Sequence, residues 1–232
     1  MNLLTLGFVN TKDALHRGTR MTQKTESEIL FEQYCDQLDI DCAPISRADT
    51  KTPDYELVFG AQLVVAELKQ LDLNDEDSSL FEQARVRCSA SAWPNSANRV
   101  RRKIQKAGRQ LKARSKGLTP ALVIIYDNGT SGGVDGTDIK TAMYGEERVV
   151  VSLSPGEAPD VTPLHAGGNR RLTENCNTTI SAVGVLYRLT TELSISLFHN
   201  HFATNPIDPN WFRHARLRHF ALSSDFYDWT EI

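Results

Sequence analysis

A chain of 232 residues, 40% of them hydrophobic, can bury a core as one large domain or as one domain with an elaborated tail. Its formal charge of −3 neither demands nor excludes nucleic acid, and no apolar run is long enough to span a bilayer. The four cysteines, Cys35, Cys42, Cys88 and Cys176, form no Cys-x-x-Cys pair, which argues against a zinc ribbon or a disulfide framework and for a reducing, cytoplasmic setting.

Residues 1–21 read as an extended arm, whose apolar patch from Leu3 to Val9 lacks the charged flank and cleavage site of a secretory leader. Thr22 or Thr25 is placed to cap a helix running to about Asp39, because Phe31, Tyr34, Cys35 and Leu38 recur as one helical stripe. At about 100° per residue, Glu28 and Glu32 fall along the border of that stripe. Asp41 to Ile45 reads as a short strand, and the polar loop 46–52 delivers the chain to Pro53.

The stretch PDYELVFGAQLVVAELK, residues 53–69, reads as two strands, 55–59 and 63–68, around a turn for which Gly60 supplies the permissive backbone. Asp54 then lies near the start of one strand and Glu67 near the end of its antiparallel neighbour. Side chains at i and i+2 share a strand face, so Glu67 and Lys69 point the same way while Leu68 points into the opposite layer. Two carboxylates and an amine can converge there. Paired oxygen ligands suit Mg²⁺, and a lysine beside them can orient an attacking water or help to deprotonate it.

Asp72, Asp75, Glu76 and Asp77 follow without the spacing of a calcium loop and read as a solvated linker, with a helix from Leu80 to Ala92 beyond them. Arg99 to Gly117 holds nine basic residues and no acid; the rest of the chain carries 17 basic against 29 acidic residues, about −12. Val100, Ile104, Ala107 and Leu111 form an apolar stripe that anchors this helix, leaving its cations on the other faces, where they would attract phosphates. Pro120 to Asp127 is a continuous apolar run suited to a strand buried on both faces. The segment Gly129 to Gly136 lacks the Gly-Lys-Ser/Thr ending of a phosphate loop and reads as a mobile loop. Further strands are expected at Arg148–Leu153, Thr179–Leu186 and Leu193–Phe198, separated by a loop over 154–178. His199 and Asn200 are expected to close a strand and fix a turn. Arg213, Arg216 and Arg218 with His214 and His219 suggest a second basic element, and Phe226, Tyr227 and Trp229 a tail packed back on the core.

Pro53-Asp54 followed by Glu67-x-Lys69 resembles the signature of the PD-(D/E)XK nuclease superfamily. The resemblance covers about residues 22–127 and implies an α/β, restriction-endonuclease-like core: a mixed sheet flanked by helices. Residues 128–232 would add C-terminal strands to the same domain. It implies Mg²⁺-dependent hydrolysis of phosphodiester bonds, with Mn²⁺ as a substitute and DNA as the first substrate, RNA being the alternative. Endo- or exo-action stays open, and a homodimer is compatible with it. On this resemblance Asp54, Glu67 and Lys69 are the catalytic set. Glu28 is its fourth member, and Asp54, Glu67 and Glu28 hold the metal, with Glu32 as the alternative to Glu28. Arg101, Arg102, Lys103, Lys106, Arg109 and Gln110 of the basic helix are the expected nucleic-acid contacts. Two other readings compete: a nucleic-acid-binding module of the same fold without cleavage, and an interaction domain in which the acidic segment meets the basic helix internally.

Overall fold

The computed structural model describes residues 24–46, 52–59, 62–73, 75–87, 96–128, 133–154, 156, 158–164, 167–189, 192–212, 214, 216–226 and 228–232. The expected arm, residues 1–21, lies outside these.

The chain first builds a helix, α1 (Glu26–Gln37). Of the two candidate caps Thr25 is the one used: its hydroxyl accepts the Glu28 N–H, and the Glu28 carboxylate accepts the Thr25 N–H at 2.7 Å, closing a capping box. Leu30, Phe31, Tyr34 and Cys35 form its buried stripe. Strands β1 (Asp41–Pro44), β2 (Tyr55–Phe59) and β3 (Gln62–Leu71) follow as an antiparallel meander. Two helices, α2 (Asp75–Arg87) and α3 (Ser96–Ser115), then carry the chain to β4 (Ala121–Asp127), which lies parallel to β3.

The second half adds α4 (Gly136–Tyr144), a separate antiparallel pair β5 (Arg148–Ser152) and β6 (Asp160–Leu164), and strands β7 (Ala182–Leu189), β8 (Glu192–His199), β9 (Leu217–Leu222) and β10 (Trp229–Glu231). The result is an α/β fold with one mixed sheet of eight strands in the order β1-β2-β3-β4-β7-β8-β9-β10, flanked by helices. No helix among the described residues is long and apolar enough to cross a membrane.

The central sheet has a distinct apolar cluster on each face. Strand alternation sends Val64, Ala66 and Leu68 toward α1, and Val65 and Leu71 toward α3 and α4. β4 contributes to both clusters and is buried from Ala121 to Tyr126, as its unbroken apolar run foretells. The α3 stripe Val100, Ile104, Ala107 and Leu111 has no exposed surface at all.

Four expectations need correction. The acidic segment is not all linker, since α2 (Asp75–Arg87) starts five residues before the expected Leu80, while residues 88–92 of the expected helix lie outside the described residues; acids suit the positive end of a helix. The glycine-rich stretch ends in structure: Val134 is buried and Asp135 caps α4 through a capping box with Asp138. The loop 154–178 contains β6. As expected, Asn200 fixes a turn, its carboxamide accepting the Phe202 N–H at 3.0 Å and donating to the Ile180 carbonyl at 2.7 Å. The tail also packs back, with Trp229 4.9 Å from Phe198 and Phe226 5.1 Å from Tyr144, ring centre to ring centre. The second basic element disperses instead: Arg218 pairs with Glu231 at 2.6 Å, Arg216 reaches Gln37 at 3.0 Å, His219 is buried, and Arg213 lies outside the described residues.

Because Ile104 holds α3 against the sheet with no exposed surface, Ile104→Ala should destabilise the fold by about 2–5 kcal/mol. Urea unfolding measures this, and a loss below about 1 kcal/mol would mean that α3 is not anchored as described.

Candidate functional site

The β2–β3 hairpin sets the site's geometry. Tyr55 pairs with Ala66, so the next step of the antiparallel register brings Asp54 opposite Glu67. Asp54 is fixed by its backbone and its side chain together. Its N–H donates to the Ala66 carbonyl at 3.1 Å, and its Oδ2 accepts the Leu68 N–H at 2.9 Å. The carboxylate is thereby held against the backbone of β3 between Glu67 and Lys69. Lys69 Nζ donates to Glu67 Oε1. The expected convergence of Asp54, Glu67 and Lys69 is therefore present.

Glu67 is only 1% exposed, and its Oε2 finds no hydrogen-bond partner among the described residues. A carboxylate removed from water with one oxygen unsatisfied is costly. Its pKa is raised to about 7: burial is the largest cause, the Lys69 ammonium opposes it, Asp54 adds to it and the Gln110 amide lowers it. Burial outweighs the lysine, so the site favours the arrival of a proton or a cation at Glu67.

α3 lies over this hairpin. Arg99, Lys103, Lys106 and Gln110 follow the i, i+4, i+7, i+11 spacing beside the buried stripe. Arg99 donates to the Asp72 carbonyl at one end, and Gln110 to the Thr52 carbonyl at 3.1 Å at the other. Lys103 is half-buried between them, its pKa lowered first by burial and then by the charges of Lys106 and Lys69, with Asp72 opposing. Arg102, Lys106 and Arg109 are exposed. Among the described residues none of these three forms an ion pair.

Arg101 departs from the expected set. It is buried at 5% exposure, donates to the Thr141 carbonyl at 3.1 Å and stands 3.9 Å from the Glu146 carboxylate. It therefore braces α3 against α4 and presents no charge to solvent. Its position, one residue from Val100 and three from Ile104, turns it inward with the apolar stripe.

The acids of α1 are engaged elsewhere. Glu28 closes its capping box with Thr25, and Glu32 accepts the Tyr55 hydroxyl at 2.8 Å and Lys24 at 2.5 Å. α1 packs on the sheet face opposite to Glu67 and Lys69. The structure does not bring either acid together with the hairpin pair, and among the described residues no group of three His, Cys, Asp or Glu side chains is placed to hold one metal ion. A further polar set, missed by the sequence reading, lies at the strand ends: Tyr126 donates to Glu26 at 3.3 Å and Arg188 pairs with Glu26 at 2.8 Å. Its members are far apart in the chain, so no local spacing points to it.

Set against protein-family models, curated proteins and solved structures, the chain has no match in any of the three.

Glu67 has the reverse of the usual carboxylate linkage. Its pKa rises from 4.5 to about 7 on folding, so the folded state binds more protons between those values and stability falls as pH rises through them. Glu67→Gln, measured by urea unfolding in EDTA, should be more stable than the parent at pH 8 by on the order of 2 kcal/mol. The gain should shrink toward pH 4. A variant less stable than the parent at pH 8 would show that Glu67 is ionised without penalty.

Proposed function

We propose that the chain is a metal-dependent nuclease that hydrolyses phosphodiester bonds of nucleic acid, DNA first, in the manner of the PD-(D/E)XK superfamily it resembles. The observation that carries this reading is Glu67: a buried carboxylate with one unsatisfied oxygen, opposite Asp54 and bonded to Lys69. The order helix, three-strand meander, two helices, parallel strand also agrees with a restriction-endonuclease-like core.

The donor set fits a hard divalent cation, since Glu67 Oε2 lacks a partner and Asp54 supplies a second carboxylate. Asp54 and Glu67 would hold Mg²⁺ or Mn²⁺, which supplies charge for a phosphoryl oxygen and acidifies a bound water. The remaining roles belong to side chains. Lys69 Nζ, fixed by Glu67, is placed to orient the attacking water or to donate to a phosphate oxygen. Glu67 takes part as a carboxylate once its proton has left near pH 7. Lys103, Lys106, Arg102 and Arg109 hold phosphates to either side along α3. Gln110 keeps α3 in register with the hairpin through Thr52. The interaction-domain reading has less support, because Arg102, Lys106 and Arg109 form no internal ion pair among the described residues.

The test is incubation of the purified protein with linear, circular, single-stranded and branched DNA and with RNA, in Mg²⁺, Mn²⁺ or EDTA. Cleavage should require the metal. Asp54→Ala, Glu67→Ala and Lys69→Ala should each lower it by at least about a hundredfold while circular dichroism stays native. Cleavage that persists in EDTA or in all three variants would refute the reading, and metal-independent binding without cleavage would replace it with a silent binding module. Separately, Lys106→Ala should weaken binding to all sequences alike and reduce the slope of log affinity against log salt by about 1. An unchanged slope would remove α3 from the phosphate path.

A further inference from the structure

A second group of cations stands where α3 meets α4, away from the hairpin. Arg101 and Lys103 project about 160° apart on α3, and Arg101 reaches the Thr141 carbonyl of α4. The segment 167–171, Gly-Gly-Asn-Arg-Arg, crosses the end of α4: the Gly168 carbonyl accepts the Glu146 N–H at 3.4 Å, and the Arg171 N–H donates to the Met143 carbonyl at 3.0 Å. A Cβ at Gly168 would stand 2.9 Å from Arg148 Nη2, so the Arg148 guanidinium lies against this segment. Arg101, Arg148 and Arg171 are thus gathered at the carboxyl end of α4, grading from buried through half-buried Arg171 to exposed Arg148.

Local acids do not balance them. Glu146 stands 3.9 Å from Arg101, and Glu147 pairs with Lys140. Arg148 and Arg171 form no ion pair and no side-chain hydrogen bond among the described residues. The buried Nε–H groups of Arg101 and Arg171 also lack an acceptor. The Arg101 pKa is lowered first by burial, with Glu146 opposing and the charge of Arg171 adding to the fall. Like charges held together beside unsatisfied buried donors are costly, and an oxyanion removes both costs at once. The end of α4 offers little opposition: its Thr141 carbonyl already accepts Arg101 and the Gly145 N–H, and its Met143 carbonyl the Arg171 and Leu172 N–H groups. Guanidinium forks match carboxylates and phosphates alike, so charge decides between them. The two unpaired arginines balance a dianion. A phosphate monoester carries about −1.5 to −2 near neutral pH, whereas a carboxylate or a phosphodiester carries a single charge.

We propose that Arg101, Arg148 and Arg171 form a binding site for a phosphate dianion, supplied as inorganic phosphate or as the terminal phosphate of a nucleic-acid strand. The anion enters past exposed Arg148. Arg171, which no side-chain bond fixes, turns its fork onto it, and Arg101 supplies the buried Nε–H. The site shares no residue with Asp54, Glu67 and Lys69 and does not rest on the nuclease reading.

Isothermal titration of the full chain in EDTA, at constant ionic strength, tests the site with inorganic phosphate against acetate. Phosphate should bind saturably, and acetate should not. Arg148→Gln and Arg171→Gln should each weaken phosphate on the order of tenfold while circular dichroism stays native. Arg85→Gln, which removes one cation from the exposed face of α2, should leave it unchanged. Fluorescence anisotropy then compares a single strand carrying a terminal phosphate with the same strand ending in hydroxyls. A preference for the phosphorylated end that Arg171→Gln erases identifies the strand terminus as the ligand; saturable phosphate uptake without that preference identifies the free anion. Acetate binding as tightly as phosphate, no saturable uptake, or uptake that Arg148→Gln and Arg171→Gln weaken no more than Arg85→Gln does, overturns the site and leaves the nuclease reading standing.

Discussion

Glu67 lies on a strand between Val64, Val65 and Ala66 on one side and Leu68 on the other, and beside the fully buried Val123 of β4. Dehydrating a carboxylate in such a place costs several kcal/mol unless other groups compensate. The hairpin supplies partial compensation through its own geometry. Lys69 follows two residues later on the same face and bonds to one oxygen, while Asp54 is held opposite by the Leu68 N–H. The second oxygen stays unsatisfied. An apolar residue would be more stable at this position, so Glu67 costs the fold stability.

That cost also dictates what the other elements must do. The face carrying Glu67 is covered by α3, which brings cations and no acid along its whole length. The buried stripe that docks α3 and the polar stripe that crosses the hairpin are offsets of one helical period. Rotating the helix to improve one would misplace the other. Packing at Ile104 and the position of Lys103 near the charge of Lys69 are therefore one variable. The opposite face carries no comparable requirement, and there the acids of α1 settle into local bonds with Thr25, Lys24, Tyr55 and Arg188.

What could be read in the sequence follows from the range of each cause. The hairpin, the α3 stripe and the buried run of β4 are set by local periodicity, and Asp54, Glu67 and Lys69 meet because the antiparallel pairing of β2 with β3 fixes their register. Arg101 was misplaced because periodicity leaves open which cation beside an apolar stripe turns inward. The answer comes from the Thr141 carbonyl and Glu146 on a distant segment. α2 was partly hidden by polar composition and α4 by the glycines before it, although the Asp135-x-x-Asp138 spacing carried the capping signal. The order β4-β7-β8-β9 could not be read at all, since those pairings join residues far apart in the chain.

The placement of the site at this end of the sheet has its physical origin in where the strands stop. Along β3, β4 and β7 the residues change from apolar to polar at nearly the same level: Leu68 to Lys69 and Asp72, Ile125 to Asp127, Leu186 to Arg188. The ladder closes there, its last bond running from the Asn128 N–H to the Leu71 carbonyl at 2.9 Å. Beyond it backbone groups need other partners, so polar side chains gather where the strands stop. β2 runs in the opposite direction, which brings its first residues, with Asp54 just before them, to the level at which β3 and β4 become polar. An antiparallel hairpin joined to a parallel pair is thus what lets one carboxylate come from a strand's beginning and the other from near a strand's end. A purely parallel sheet would leave Asp54 at the opposite end of the molecule.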